Sequence, residues 1–199
     1  MNRYVRLTVN LLLSVLLLVP CSSAFAQRVG IKTNLFYGAY TFTPNLAVEL
    51  GLSGRSTLDV GAGYNPWNLQ GSEESNKKLV HLLGAIEYRY WLCEKFNGHF
   101  FGAHALGSQY NISEHELPLL FGEGSKDFRY EGWAVGAGLA YGYHFLLGRS
   151  WNLEATLGIG YVYLQYDKYE CPKCGGIVGS MRRDYFGPTK MGLSLIYLF

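Results

Sequence analysis

The sequence predicts an all-β fold, an antiparallel transmembrane β-barrel of about eight strands. Phe199 ends the chain, and Tyr197, Leu195 and Leu193 precede it at alternate positions, which gives the last segment one apolar face. Aromatic residues make up 16% of the chain, charged residues 16%, and there are 25 glycines. Aromatic residues on the outside and glycines at crowded interior positions are typical of such barrels.

The N-terminus has the pattern of a secretory signal peptide. Arg3 and Arg6 precede an apolar stretch at residues 11–19, and Ala24-Phe25-Ala26 has the small-residue pattern of a cleavage site. The apolar stretch is too short for a permanent membrane anchor. We therefore expect a cleaved signal peptide, residues 1–26, followed by one barrel domain, residues 27–199.

The charge balance and the apolar stretches of the chain indicate where in the cell the protein is located. The chain has 17 Lys and Arg against 15 Asp and Glu, and removing the signal peptide balances them, so the mature protein lacks the basic footprint of a nucleic-acid-binding protein. No later stretch has the roughly 18 apolar residues of a membrane helix. The expected location is the outer membrane of a Gram-negative cell, among lipid and lipopolysaccharide. Tyr197 and Phe199 look like the terminal signal that the barrel-assembly machinery recognises.

Eight segments with alternating hydrophobicity, separated by turn residues, predict the strands. They cover residues 29–38, 45–53, 57–64, 79–92, 99–110, 131–147, 151–166 and 185–199.

In the first four strands, every second residue is mostly apolar or aromatic. These outward residues are, strand by strand, Ile31, Thr33, Leu35 and Tyr37; Leu46, Val48, Leu50 and Leu52; Leu58, Val60, Ala62 and Tyr64; and Val80, Leu82, Ile86, Tyr88 and Tyr90. A tight turn at Ser53-Gly54-Arg55-Ser56 joins the second strand to the third. The polar residues 66–78 are predicted to form a loop.

The last four strands follow the same rule. Their outward residues are Phe101, Ala103 and Ala105; Trp133, Val135, Ala137, Leu139, Tyr141, Tyr143 and Phe145; Trp151, Leu153, Leu157, Ile159, Tyr161 and Tyr163; and Met191, Leu193, Leu195, Tyr197 and Phe199. Connections after the second, fourth and sixth strands are short, and those after the third, fifth and seventh are long. With both termini in the periplasm, the long connections face outward, as in known barrels. A soluble sandwich or lipocalin-like barrel would instead expose its charged face.

Charged residues occupy the opposite, inward faces. They are Lys32, Glu49, Asp59, Glu87, Arg89, Glu154 and Lys190. Isolated burial of an ionic group costs many kcal/mol, so these residues must pair. Because an eight-stranded barrel is just wide enough for side chains to fill it, the pattern favours a polar plug over a gate or proton path.

Three cysteines remain after signal removal. The fourth, Cys21, follows Pro20 and not a small residue, which disfavours lipoprotein processing. Cys93 stands alone, whereas Cys171 and Cys174 lie close together in the last predicted outer loop. In an exported protein this spacing favours a local disulfide. Half of a zinc site and a redox pair are the alternatives, but structural zinc needs four ligands.

Residues for catalysis do not form a recognisable set. His104 and Ser108 share a strand face but are too far apart for a hydrogen bond, and His115 lies among acidic residues. We expect no cofactor, no metal and no catalytic residue.

The protein is predicted to be a non-enzymatic structural or surface-interaction barrel acting through its outer loops, residues 111–130 and 167–184. The alternative is an outer-leaflet lipid-modifying enzyme of the lipid A deacylase or acyltransferase type.

Several blocks of sequence carry a more specific resemblance. They are residues 88–102, 129–133, 151–155, 169–171, 174–175 and 186–190. Together they resemble an uncharacterised family of small outer-membrane β-barrels from Gram-negative gut and oral anaerobes, the domain of unknown function 3575 family. The resemblance covers essentially the whole mature chain. It implies an outer-membrane barrel at the cell surface, in some cases linked to fimbrial proteins, and it implies no reaction.

Overall fold

A computed structural model describes residues 29–71, 76–115, 125–170 and 176–199. The strands in these ranges are β1 (Val29–Asn34), β2 (Asn45–Gly51), β3 (Ser56–Asn65), β4 (Asn68–Gly71), β5 (Asn76–Trp91), β6 (Gly98–Ser113), β7 (Arg129–Leu146), β8 (Trp151–Tyr169) and β9 (Ile177–Leu198). A short helix, α1 (Leu35–Thr41), follows β1, and a 3₁₀ turn (Ser125–Asp127) precedes β7. The predicted signal peptide lies outside the described residues.

Eight of the strands close a ring. The order is β1, β2, β3, β5, β6, β7, β8, β9 and back to β1, with every neighbouring pair antiparallel. The short β4 adds to β5 beyond the end of β3. The predicted all-β fold and the predicted strand number are therefore confirmed.

The strands are strongly staggered around the ring. Paired residues followed from Lys32 through β2, β3, β5, β6, β7 and β8 lead to Tyr185 on β9. Lys32 itself, however, pairs directly with Ile196 on that strand. Such a stagger means that the strands tilt relative to the barrel axis. We call the end with Val29 and Phe199 the terminal end, and the opposite end the loop end.

The first strand is shorter than the sequence predicted. Strand β1 stops at Asn34, and the predicted strand residues Leu35 and Tyr37 belong to α1. The Asn45 side chain accepts from the Asn34 amide at 2.7 Å and donates to its carbonyl at 3.0 Å, so it replaces the next pair of the ladder. Asn34 then caps α1 by accepting from the Tyr37 amide, and Phe42 ends the helix with a left-handed φ of 51°.

The loop end contains more strand than the sequence predicted. Strand β8 continues to Tyr169 and β9 begins at Ile177, so most of the predicted loop 167–184 is a paired hairpin. Strand β6 likewise reaches Ser113, and β4 lies within the predicted loop 66–78. Most of residues 177–184 of β9 are exposed on both faces, so no apolar alternation marks this part of the strand.

The outside of the barrel is apolar. Large exposed side chains include Leu139 at 68% and Phe186 at 75% exposure. Aromatic residues concentrate in two belts with aliphatic residues between them. The belt near the terminal end contains Tyr88, Tyr90, Phe101, Tyr141, Phe145, Trp151 and Phe199, and the belt near the loop end contains Tyr64, Trp133, Tyr161 and Phe186. Among the described residues, no helix has the length and hydropathy needed to cross a membrane.

Candidate functional site: an ionic cluster inside the barrel

The structure brings all seven predicted inward charged residues together in the barrel interior. We call them the ionic cluster. Its members are Lys32, Glu49, Asp59, Glu87, Arg89, Glu154 and Lys190. They come from β1, β2, β3, β5, β8 and β9, each at an inward position of its strand. Six of the side chains are at most 8% exposed, and Lys190 is 26% exposed.

Arg89 is the centre of the cluster. Its Nε donates to Glu87 Oε1 at 2.6 Å, and its Nη1 lies 2.8 Å from both Glu49 Oε2 and Glu154 Oε2. Its Nη2 lies 3.1 Å from Glu154 Oε1 and 3.5 Å from Asp59 Oδ2. A guanidinium has a planar fork of donors, which lets one side chain serve four carboxylates at once.

Two lysines and two threonines complete the pairing. Lys32 Nζ donates to Glu49 at 2.6 Å and pairs with Asp59, and Lys190 Nζ donates to Glu87 at 2.7 Å. Two of the carboxylates also have neutral donors, because Thr57 donates to Glu49 and Thr156 donates to Glu154. Pairing of this kind is what makes burial of so many charges tolerable.

The cluster has more negative than positive groups. Four carboxylates face three cations, and two histidines lie beside them. His104 Nδ1 is 3.7 Å from Glu87 Oε2, and His144 Nδ1 is 3.8 Å from Glu154 Oε2. The excess negative charge therefore lies next to two imidazole rings. Sequence reasoning did not single out His144, although it occupies the next inward position of β7 after Gly142 and pairs across the sheet with Glu154.

His104 has a hydroxyl partner from another strand. Its Nε2 lies 2.9 Å from Thr189 Oγ1, and Thr189 sits at a register shift in β9. The imidazole lies against two glycines, since a Cβ on Gly138 or Gly158 would be 2.9 or 3.1 Å from it. The sequence search considered Ser108 on the same strand, and only closure of the ring brings Thr189 to this place.

An apolar group closes the barrel below the cluster, and we call it the terminal seal. It consists of Trp91, Phe96, Phe100, Ile196 and Leu198, all at most 4% exposed. The seal is tied to the cluster, because the guanidinium of Arg89 lies 4.4 Å from the centre of the Phe100 ring. Charged and apolar side chains together therefore fill the terminal half of the interior.

The loop half of the interior contains a cavity and a second buried apolar group, which consists of Tyr110, Ile112, Tyr130, Ala134, Val162, Leu164 and Tyr166. A cavity of about 120 Å³ lies beside the cluster, and small residues such as Gly61, Gly63, Ala85 and Gly192 line it. Tyr37 of α1 also lines the cavity and its hydroxyl is hydrogen-bonded to His81 Nε2. The helix therefore covers this cavity from the loop end.

The other residues singled out from the sequence lie away from the cluster. Cys93 is an exposed free thiol in the turn after β5, whereas Cys171 and Cys174 lie outside the described residues. His115 lies beyond β6, where burial lowers its pKa from the ordinary value and nearby Lys77 adds to the effect. Within the described ranges, no three His, Cys, Asp or Glu side chains converge as a metal site would require.

The predicted assembly residues lie where the barrel closes at the terminal end. The Tyr197 ring packs edge-on against Phe199 and Trp151, with ring centres 4.9 and 5.1 Å apart. The Phe199 amide donates to the Val29 carbonyl at 3.0 Å. The last residue of the chain therefore contributes to the junction between the first and last strands.

Comparison with known proteins adds a family and no residue roles. A family model described as a protein of unknown function (DUF3575) matches residues 11–199. No curated protein matches the chain. No solved structure matches it either.

Proposed function

The chain belongs to the DUF3575 family, whose function is unknown, and we propose that it is a non-enzymatic outer-membrane β-barrel acting at the cell surface. The observation that carries this proposal is the inverted distribution of side chains. Seven charged residues lie inside the barrel, whereas residues such as Leu139 and Phe186 are mostly exposed outside it. A soluble protein has the opposite arrangement. In a bilayer, a closed barrel satisfies its own backbone hydrogen bonds and presents apolar side chains to lipid.

The proposed orientation places the terminal end in the periplasm, after export by the signal peptide, residues 1–26. Short connections at residues 52–55, 92–97 and 147–150 support it, since they all lie at the terminal end. Beyond the aromatic belt near the loop end, the outward positions become polar, as Glu131 and Asp184 illustrate. The strands thus rise out of the membrane as a water-facing extension.

This extension is the proposed interaction surface. It comprises the loop-end parts of β5 to β9 and the connections between them. Its proposed partners are surface proteins, including fimbrial proteins, while the apolar belt contacts lipid and lipopolysaccharide. The barrel-assembly machinery is a partner only during biogenesis.

The filled interior makes the barrel a rigid support for that surface. The terminal seal and the ionic cluster block the terminal half of the lumen, so we expect no ion conduction. Two measurements test the proposed location and the expected absence of ion conduction. The full-length protein should fractionate with outer membranes and change gel mobility on boiling, and it should give no channel currents in planar bilayers. Recovery as a soluble periplasmic protein would refute the proposed location. Ohmic currents would favour the alternative in which the interior charges form a gate or proton path.

Two contacts of His104 favour a second candidate function, that of an outer-leaflet lipid-modifying enzyme. Thr189, His104 and Glu87 lie in the order of a nucleophile, a base and an acid, with separations of 2.9 and 3.7 Å. However, Glu87 also accepts from Arg89 and Lys190 at 2.6 and 2.7 Å, so its charge is already balanced. The enzymatic function is therefore less well supported than the structural one.

Mass spectrometry of lipid A separates the two candidates. We would compare deletion cells carrying an empty vector, the wild-type gene or the Thr189→Ala gene. Identical lipid A in all three supports the non-enzymatic proposal. An acyl-chain change that the wild type causes and Thr189→Ala does not cause would establish the enzyme.

A further inference from the structure

The barrel wall is incomplete between β9 and β3. Strands β1 and β2 have six and seven residues, whereas a membrane-crossing strand needs about 9–11. Strand β1 pairs with β9 only between Ser194 and Leu198, and β2 pairs with β3 only as far as Gly63. In the proposed orientation both strands end inside the bilayer, and the outer half of the wall lacks them.

Helix α1 lies in this gap. It follows β1 directly, and Asn34 just before it donates through Nδ2 to the Met191 carbonyl at 3.1 Å, on the edge of β9 that β1 leaves unpaired. On the other side of the gap, the Pro44 carbonyl accepts from the Tyr64 amide at 3.1 Å. A helix of seven residues is a small replacement for the missing parts of two strands. Its neighbours therefore leave space around it.

That space is a groove of about 650 Å³ between α1, the segment that joins α1 to β2, and Trp67, which follows β3. We call it the α1 groove. Residues Leu35, Gly38, Ala39, Phe42, Pro44 and Trp67 line it. Phe42 is 68% exposed and Trp67 is 48% exposed, so the groove opens on the apolar outside of the barrel and continues the belt that faces lipid.

Polar groups in the α1 groove already have partners in the chain. Trp67 Nε1 donates to the Phe42 carbonyl at 2.9 Å, and the hydroxyls of Thr41 and Thr43 are 2.7 Å apart. The Asn45 amide donates to the carbonyls of Asn34 and Thr43. A site needs several polar groups to hold water, and these groups are engaged elsewhere.

We propose that the α1 groove binds one acyl chain of an outer-leaflet lipid. This inference rests on the proposed membrane location. At that depth the bilayer supplies acyl chains, and an unfilled groove would lose dispersion contacts along its lining. Lipid tails are as apolar as the lining, so the hydrophobic effect alone gives no preference. The preference comes from shape, since a concave groove contacts a chain on several sides and a flat strand surface contacts it on one.

Two glycine substitutions provide a matched test. At Gly38 an added Cβ would meet only Asn45 and Thr43, at 3.9 and 4.0 Å, so a side chain can start there without a clash, and Gly38→Phe should occupy part of the α1 groove that Gly38 lines. Phenylalanine also favours helix over glycine. Gly107 on β6 has nothing within 4 Å of an added Cβ and lines a separate groove beside Gly84 and Trp133, so Gly107→Phe places the same side chain in a groove away from α1.

Native mass spectrometry measures the binding. The full-length variants, purified in mild detergent, would be titrated with dipalmitoyl phosphatidylethanolamine. We expect one retained lipid in the wild type and in Gly107→Phe, and loss of this lipid in Gly38→Phe. Equal retention in the two variants, or no retained lipid in the wild type, would overturn the inference.

A second measurement needs no substitution. Wild-type protein in phosphatidylethanolamine vesicles would be photolysed with a phospholipid carrying a diazirine in the middle of one acyl chain. Crosslinks should concentrate on residues 35–44 and Trp67, and an even distribution over the apolar belt would overturn the inference. Failure of the protein to enter membranes, by contrast, would refute the proposed function itself.

Discussion

Removing Arg89 is the most direct test of the ionic cluster. Arg89→Ala takes one guanidinium away from four carboxylates that lie within 3.5 Å of it. Lys190 still pairs with Glu87, and Lys32 still pairs with Glu49 and Asp59, so two cations remain for four carboxylates. Glu154 loses the most, because its remaining cation, Lys32, lies 3.7 Å away.

The expected cost follows from that loss. Removing one partner of a buried ion pair typically destabilises a protein by about 3–5 kcal/mol, because a charge stays buried without compensation. Water that enters the space left by the side chain reduces the cost, so we expect roughly 3 kcal/mol. Urea unfolding of the barrel in detergent micelles would show it as a midpoint lower by roughly 1–3 M.

Two further variants make the result interpretable. Arg149→Ala removes an exposed arginine in the turn between β7 and β8, and we expect its midpoint to match the wild type. In Arg89→Ala with Glu154→Gln, the least compensated carboxylate is gone, so part of the stability should return. An unchanged midpoint for Arg89→Ala alone would refute the reasoning, because it would mean that Arg89 contributes nothing net to barrel stability.

Three other predictions have defined outcomes. Deleting Phe199, or replacing it with Asp, should reduce the heat-modifiable band in outer-membrane fractions and leave export intact, and an unchanged band would count against an assembly role. Trp91→Ala removes the largest ring of the terminal seal and its hydrogen bond to Thr57, so it should destabilise the barrel by about 3–5 kcal/mol in the same urea assay; a wild-type midpoint would contradict this. Cys171 and Cys174 should resist alkylation in protein isolated aerobically without reductant, because we expect them to form a disulfide. Two alkylated thiols would exclude the disulfide, and stoichiometric zinc would support the alternative of a zinc site.

The sequence alone predicted which way most side chains point. Glu87 and Arg89 were expected inside and Tyr88 and Tyr90 outside, and the structure places them there. Such predictions succeed because side chains alternate between the two faces of a strand as a local property of the backbone. The number of strands followed from the same alternation, since turn residues separate its segments.

Strand ends could not be read in this way. Strand β1 ends at Asn34 because the side chain of Asn45, from another strand, occupies its next hydrogen bonds. Strand β9 begins at Ile177, in a region where both faces meet water and no apolar alternation marks the strand. Pairing with β8 maintains it there.

The sequence by itself determined the barrel class, the inward set of seven charges and the family to which the chain belongs. Only the tertiary structure decided which of those charges meet. Arg89 reaches Glu154 although the two are far apart in the chain, and His104 reaches Thr189 across the interior. The physical reason is that ring closure and strand stagger set the height of each side chain in the lumen. Both depend on the pairing of all eight strands, and no local pattern encodes them.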